Sequence, residues 1–135
     1  MVTVTIDGKE LSVEENLTIL EAAQTADIKI PTLCYLKDVN EIGACKMCVV
    51  EVEGSRHLVT SCNTKVRDGM VINTKSDRVI NSRKQVLNML LANHDVRCFS
   101  CSKSGDCRLQ DLSNEYGITK SCYEASAAKL SLIHI

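Results

Sequence analysis

Cys34-Tyr-Leu-Lys-Asp-Val-Asn-Glu-Ile-Gly43-Ala44-Cys45-Lys46-Met47-Cys48 is the stretch on which the fold turns. With Cys62 it gives the spacing C-x10-C-x2-C-x13-C. Two cysteines separated by two residues on a bent loop reach one metal centre. The other two arrive from the loop start and from a strand end. Four thiolates around two irons are the ligand set of a 2Fe–2S cluster. Such a loop also needs backbone N–H groups turned toward sulfur and little side-chain bulk. Gly43-Ala44 suits both needs, because glycine permits unusual φ and alanine is small. Structural zinc competes, since it also takes four cysteines, but usually through two C-x2-C knuckles, and this half has one. Unligated or disulfide-bonded cysteines are the third reading.

Outward from this loop the pattern is α+β. Val2–Ile6 alternates and is rich in β-formers, Asp7-Gly8 is a hairpin turn, and Leu11-Ser-Val13 lies in the return strand. Thr18 with Glu21 forms a capping box ahead of a short helix to about Ala26, and Pro31 closes that unit. Residues 32–48 read as a loop. Val49–Val52 and His57–Thr60 read as strands joined through Gly54-Ser55, and Met70–Asn73 follows the Asp68-Gly69 turn. Ser76 is an N-cap with Asp77 in the first turn. Val79, Ile80, Val86, Leu87, Leu90 and Leu91 then recur at helical spacing, which projects a helix to His94. Leu109, Leu112 and Tyr116 suggest a further helix that Gly117 ends.

A second ligand set follows that helix. His94, Cys98, Cys101 and Cys107 are spaced H-x3-C-x2-C-x5-C. A lone histidine at a helix end is ordinarily a surface or capping residue, and His57 and His134 take that reading. His94 does not, because three cysteines follow at short range. Leu90 and Leu87 precede it at helical spacing, so its ring is expected to extend the buried face. The spacing leaves zinc and 4Fe–4S nearly even. Cys122 has no partner set and reads as a spare thiol. Arg97, Lys103 and Arg108 read as a solvated face.

Composition narrows the classes. The chain has 135 residues, a formal net charge of −1, three Tyr, one Phe and no Trp. The balanced charge argues against a nucleic-acid binder. No apolar run approaches the ~18 residues of a membrane span. The N-terminus lacks the basic flank and apolar stretch of a signal peptide, so a cytoplasmic location is expected. Eight cysteines in a reducing compartment point to metal or redox chemistry. No Gly-rich phosphate loop appears, and no residue is assigned a catalytic role.

Pro31-Thr-Leu-Cys34-Tyr35 with Glu41-Ile-Gly43-Ala-Cys45-Lys-Met-Cys48 resembles the 2Fe–2S domain of iron-only hydrogenases and of the large iron–sulfur subunit of NADH dehydrogenase (complex I). The segment Asn93-His94 through Cys107-Arg-Leu-Gln110 is similar to the 4Fe–4S segment of the same two families, ligated by one histidine and three cysteines. The resemblance covers roughly residues 1–120. It implies a β-grasp 2Fe–2S ferredoxin-like domain over 1–76, with Cys34, Cys45, Cys48 and Cys62 as ligands. It also implies a small helical 4Fe–4S domain over 77–121, held by His94, Cys98, Cys101 and Cys107. The implied function is an electron-transfer module serving the catalytic part of an NAD(P)-linked iron-only hydrogenase. The alternative parents are a complex I large subunit or a formate dehydrogenase subunit, and a zinc-stabilised interaction module is the distant alternative. Implied partners are a redox subunit or downstream cluster domains of the same polypeptide, with no nucleic acid and no direct membrane insertion. Lys46 stands where complex I relatives often have Arg, and Phe99 where many relatives have Pro. The chain is expected to be a fragment, with 122–135 a truncated or artefactual tail. Leu130-Ser-Leu-Ile-His-Ile135 resembles the translation of a transposase-type sequencing adaptor.

Overall fold

The Asp7-Gly8 turn has positive φ at both residues, 50° and 82°, the pairing that joins two strands at their natural twist. In the computed structural model, which describes residues 1–123, it connects β1 (Val2–Ile6) to β2 (Lys9–Val13) in antiparallel register, Val2 opposite Val13. The expectations for the tail at 130–135 and for His134 lie outside the described residues. Three further strands follow: β3 (Val49–Val52), β4 (Val59–Thr60) and β5 (Met70–Asn73). The sheet order is β2-β1-β5-β3-β4. The central pair β1 and β5 is parallel, with Ile6 opposite Ile72, and the other pairs are antiparallel. Asp7 ties the parallel pair at one end, its carboxylate accepting from the Thr74 N–H at 2.7 Å and the Thr74 hydroxyl at 2.6 Å. Asp68 ties the other, accepting from the Thr3 N–H at 2.8 Å.

Helix α1 (Ile19–Thr25) begins at the expected capping box. The Glu21 N–H donates to Thr18 Oγ1, and Glu21 Oε2 accepts from the Thr18 N–H. That backbone N–H is also the main reason the Glu21 carboxyl titrates below its ordinary range. Ile19, Leu20, Ala22 and Ala23 are buried with Val4, Ile6, Val50, Val66 and Ile72 of the core. The helix stops at a left-handed residue that is not glycine. Asp27 has φ 57°, and the Ile28 N–H reaches back to the Ala23 carbonyl at 2.9 Å.

Two expectations are corrected. The strand projected over His57–Thr60 is only Val59–Thr60. The Ser55 hydroxyl donates to the His57 carbonyl and accepts its N–H, so His57 has no backbone group left for the ladder. The helix projected to His94 is α2 (Asp77–Ala92), and it stops two residues short. Asn93, His94 and Asp95 are weak helix formers, and the His94 N–H turns back to the Leu91 carbonyl at 3.3 Å. Leu87 and Leu91 are buried, whereas Leu90 and His94 are exposed, so His94 does not extend the buried face. Ser76 Oγ does accept from the Val79 N–H, as an N-cap should.

Two compact units divide between Val86 and Leu87, inside α2. The second holds a 3-10 turn at Cys98–Ser100 and helix α3 (Arg108–Glu115). Gly117, at φ 69°, ends α3, and the Ile118 N–H reaches the Ser113 carbonyl at 2.8 Å. Among the described residues no helix is long and apolar enough to cross a membrane.

Asp27→Gly is expected to stabilise the chain by about 0.5–1 kcal/mol, because glycine takes positive φ without a Cβ penalty. A urea titration checks this, and an unchanged or lower midpoint contradicts it.

Candidate metal centres

The first ligand set is built on the end of the β3–β4 ladder. Val49 pairs with Thr60, so Cys48 and Cys62 lie just beyond it. The Ser61 N–H and hydroxyl both donate to the Cys48 carbonyl, at 3.1 Å and 2.8 Å. Cys48 is 1% exposed and Cys62 is fully buried. Cys34 and Cys45 are half-buried on the long loop. Burial pushes the Cys62 thiol up to about 12, and the neighbouring Cys48, Cys34 and Cys45 push in the same direction. Those three neighbours are the other members of the predicted set, so the structure brings all four sulfurs into one locality. Bringing a metal to them displaces protons, as thiolate ligation requires.

The loop turns backbone donors toward sulfur, as expected, though partly by other means. The Cys45 N–H faces Cys34 Sγ at 3.5 Å, and the Met47 N–H faces Cys45 Sγ at 3.4 Å. Lys46, at φ 58°, supplies the bend between them. Burial raises the Cys45 thiol, but the backbone N–H groups of Met47, Cys34 and Leu33 outweigh it, and its pKa falls below the ordinary value. Ala44 is exposed, so packing does not enforce its small size. Gly43 is the constrained position. It is buried at φ 64°, and a Cβ there would lie 3.0 Å from Thr60 Oγ1 and 3.1 Å from Asn63 Nδ2. Asn63 itself donates to the Ile42 carbonyl and accepts from the Thr60 hydroxyl. Sequence reasoning passed over Thr60 and Asn63, whose only signal is their place either side of Ser61-Cys62.

The second ligand set is built on chain ends rather than on a sheet. His94 follows the end of α2, and Cys98 opens the 3-10 turn, which closes through the Cys101 N–H to the Cys98 carbonyl. Cys107 is the N-cap of α3, its carbonyl accepting from the Asp111 N–H at 3.0 Å. All four predicted ligands line one cavity of about 70 Å³, together with Asp95, Arg97, Ser104 and Gln110. His94 and Cys101 are exposed, while Cys98 and Cys107 are half-buried. A wider cleft of about 260 Å³ shares His94, Cys98, Cys107 and Gln110 and is otherwise mostly apolar, with Leu91, Val96, Phe99 and Leu109 in its wall. Phe99, the position that departs from the common Pro, is fully exposed.

Three thiols and an imidazole around a common cavity suit a four-iron cluster, in which each iron takes its own protein ligand. Among the described residues no group of three or more His, Cys, Asp or Glu side chains is arranged to hold a single metal ion. Cys122 joins neither set. It is exposed, and its N–H donates to Asn88 Oδ1 at 3.1 Å. His57 is exposed on its turn. The exposed Arg97 pairs with Asp95, and Lys103 Nζ lies 3.8 Å from Asp106, so these cations form the solvated face expected of them.

Comparison with known proteins adds independent findings. Residues 1–77 match the family of 2Fe-2S iron-sulfur cluster binding domains. Residues 83–121 match the NADH-ubiquinone oxidoreductase-G iron-sulfur binding region. The chain is 52% identical over 129 residues to the NADP-reducing hydrogenase subunit HndD of Solidesulfovibrio fructosivorans, covering 92% of this chain and 22% of that protein. It is 41% identical to the mitochondrial NADH-ubiquinone oxidoreductase 78 kDa subunit of Candida albicans, covering 86% of this chain and 16% of that one. It also superimposes on a chain from the crystal structure of an NAD+-reducing [NiFe]-hydrogenase in the H2-reduced state. There the TM-score is 0.83 at 35% identity, covering 91% of this chain and 52% of that one. The chain thus spans less than a quarter of the length of these curated relatives.

Gly43→Ala is expected to cost about 1–3 kcal/mol, from a side chain at positive φ pressed on Thr60 and Asn63. Denaturant titration with parallel visible absorbance checks this. Wild-type stability in the variant would show that the close approach is not a constraint.

Proposed function

Because the chain belongs to the family of 2Fe–2S iron–sulfur cluster binding domains, we propose that Cys34, Cys45, Cys48 and Cys62 hold its two-iron cluster and that His94, Cys98, Cys101 and Cys107 hold a four-iron cluster. The chain is an iron–sulfur electron-transfer module, related to those of NAD(P)-linked hydrogenases and of complex I. The observation that supports the ligand assignment best is the grouping of the eight side chains. Cys34, Cys45 and Cys48 neighbour Cys62, and the other four line a single cavity, each set within one compact unit. Domain limits of 1–76 and 77–121 accompany this assignment, with 122–135 as a tail.

Iron–sulfur clusters, when bound, take up and release single electrons. The chain's own residues set the conditions. Burial of Cys48 and Cys62 keeps water from one side of the first site. Backbone N–H groups at Cys45 and Met47 face sulfur and offset its negative charge. At the second site, neutral imidazole in place of a thiolate removes one negative charge, which favours reduction.

The larger enzyme is read as a nicotinamide-linked iron-only hydrogenase, a choice that the 52% identity to the NADP-reducing hydrogenase subunit supports. The complex I large subunit is the second reading, supported by the 41% identity to the 78 kDa subunit. A formate dehydrogenase subunit belongs with that alternative. The partner is a redox subunit or the downstream cluster domains of the same polypeptide. The cytoplasm is the proposed location, on the ground that seven cysteines grouped for metal and an eighth left unpaired suit a reducing compartment.

Anaerobic reconstitution is expected to give about six irons per chain, two in one cluster and four in the other. Cys45→Ala is expected to remove the two-iron spectrum and leave the four-iron signal. Two irons per chain, with zinc filling the second site, would overturn the four-iron assignment. His94→Cys is expected to keep a four-iron cluster at a lower reduction potential, because an anionic ligand replaces a neutral one. Redox titration of both proteins decides this, and equal potentials would show that His94 is not a ligand.

A further inference from the structure

Gln110 is the third residue of α3 and lines the ligand cavity together with Cys107, the N-cap of that helix. It is half-buried and lines both the ligand cavity and the apolar cleft beside it. Its Oε1 accepts the Gly105 N–H at 3.1 Å, which closes the loop between Cys101 and Cys107. That bond fixes the plane of the amide. The oxygen is committed to the loop, and the two hydrogens on Nε2 stay at the other end. Among the described residues no acceptor pairs with them. A carboxamide meets both demands here, whereas glutamate accepts but does not donate, and leucine does neither.

We propose that Gln110 is a hydrogen-bond donor to the four-iron cluster at His94, Cys98, Cys101 and Cys107, and that it raises the cluster's reduction potential. The proposal rests on the ligand assignment above. Thiolate and sulfide are the acceptors that such a cavity would present to Nε2. Reduction adds negative charge to that group, so an N–H donor on the cavity wall stabilises the reduced form more than the oxidised form. A role limited to holding Gly105 would affect cluster retention but not the potential of the clusters retained.

The test is a redox titration of the reconstituted full chain and its Gln110→Leu variant. Electron–nuclear double resonance of the reduced four-iron cluster, in H2O and D2O, accompanies it. The variant is expected to hold normal iron and to shift its reduced-to-oxidised ratio about tenfold toward oxidised, equivalent to ~59 mV for one electron. One exchangeable-proton coupling is expected to disappear. An iron-replete variant with unchanged potential and couplings overturns the proposal. If Gln110→Leu fails to hold the cluster, Gln110→Glu decides, because it keeps the acceptor for Gly105 and lacks the donor. Loss of the exchangeable coupling there supports the proposal, and its survival overturns it. A wild-type chain with no four-iron signal overturns the ligand assignment itself, and this proposal with it.

Discussion

The double hydrogen bond from Ser61 to the Cys48 carbonyl is the interaction on which the first site depends. It fixes the two buried cysteines to each other across the end of β3 and β4. The same segment caps α1: the Leu20 N–H donates to the Ser61 carbonyl at 3.0 Å, and the Ile19 N–H donates to the Thr64 carbonyl at 2.8 Å. Two orphan donors of a helix start are thereby satisfied by the chain around Cys62. Gly43 then packs on Thr60 and Asn63, so the long loop is positioned by the same short stretch. Hairpin, helix and loop converge on residues 60–64, and no part of the first site is independent of them.

The two ligand sets are built on different physical principles. The first sits on a sheet edge with two cysteines out of solvent, so a rigid hydrophobic core sets its geometry. The second sits on the stops and starts of helices, with no ligand fully buried. Short local bonds hold it: Cys101 to Cys98, Asp111 to Cys107, and Gly105 to Gln110. Little apolar burial supports those turns, and none of the four side chains there is fully buried.

Much of this was legible in the sequence because it was local. The Asp7-Gly8 turn, the Thr18–Glu21 capping box and the glycine stop at Gly117 each rest on residues within five positions. Spacing marked both sets, which the structure places around Cys62 and in the cavity at His94. What escaped was non-local or left no distinctive residue. Asn63 reaches Ile42 across 21 positions, which no window reveals. Helical periodicity carried the projection on to His94, but three weak helix formers ended α2 earlier, so His94 reaches the cavity from outside the helix. Val59–Thr60 lost its leading residues to a single serine hydroxyl.

The backbone at position 46 sets which side chains fit there without strain. At φ 58°, Lys46 turns the next amide onto Cys45 Sγ while its own side chain is exposed. The requirement is therefore on the main chain and is indifferent to charge. Long unbranched residues such as Lys and Arg are interchangeable under it. Val, Ile and Thr are disfavoured because branching at Cβ crowds this conformation, and proline is shut out by its fixed negative φ. Between Cys45 and Cys48 the main-chain conformation thus restricts the side chain before any other demand does.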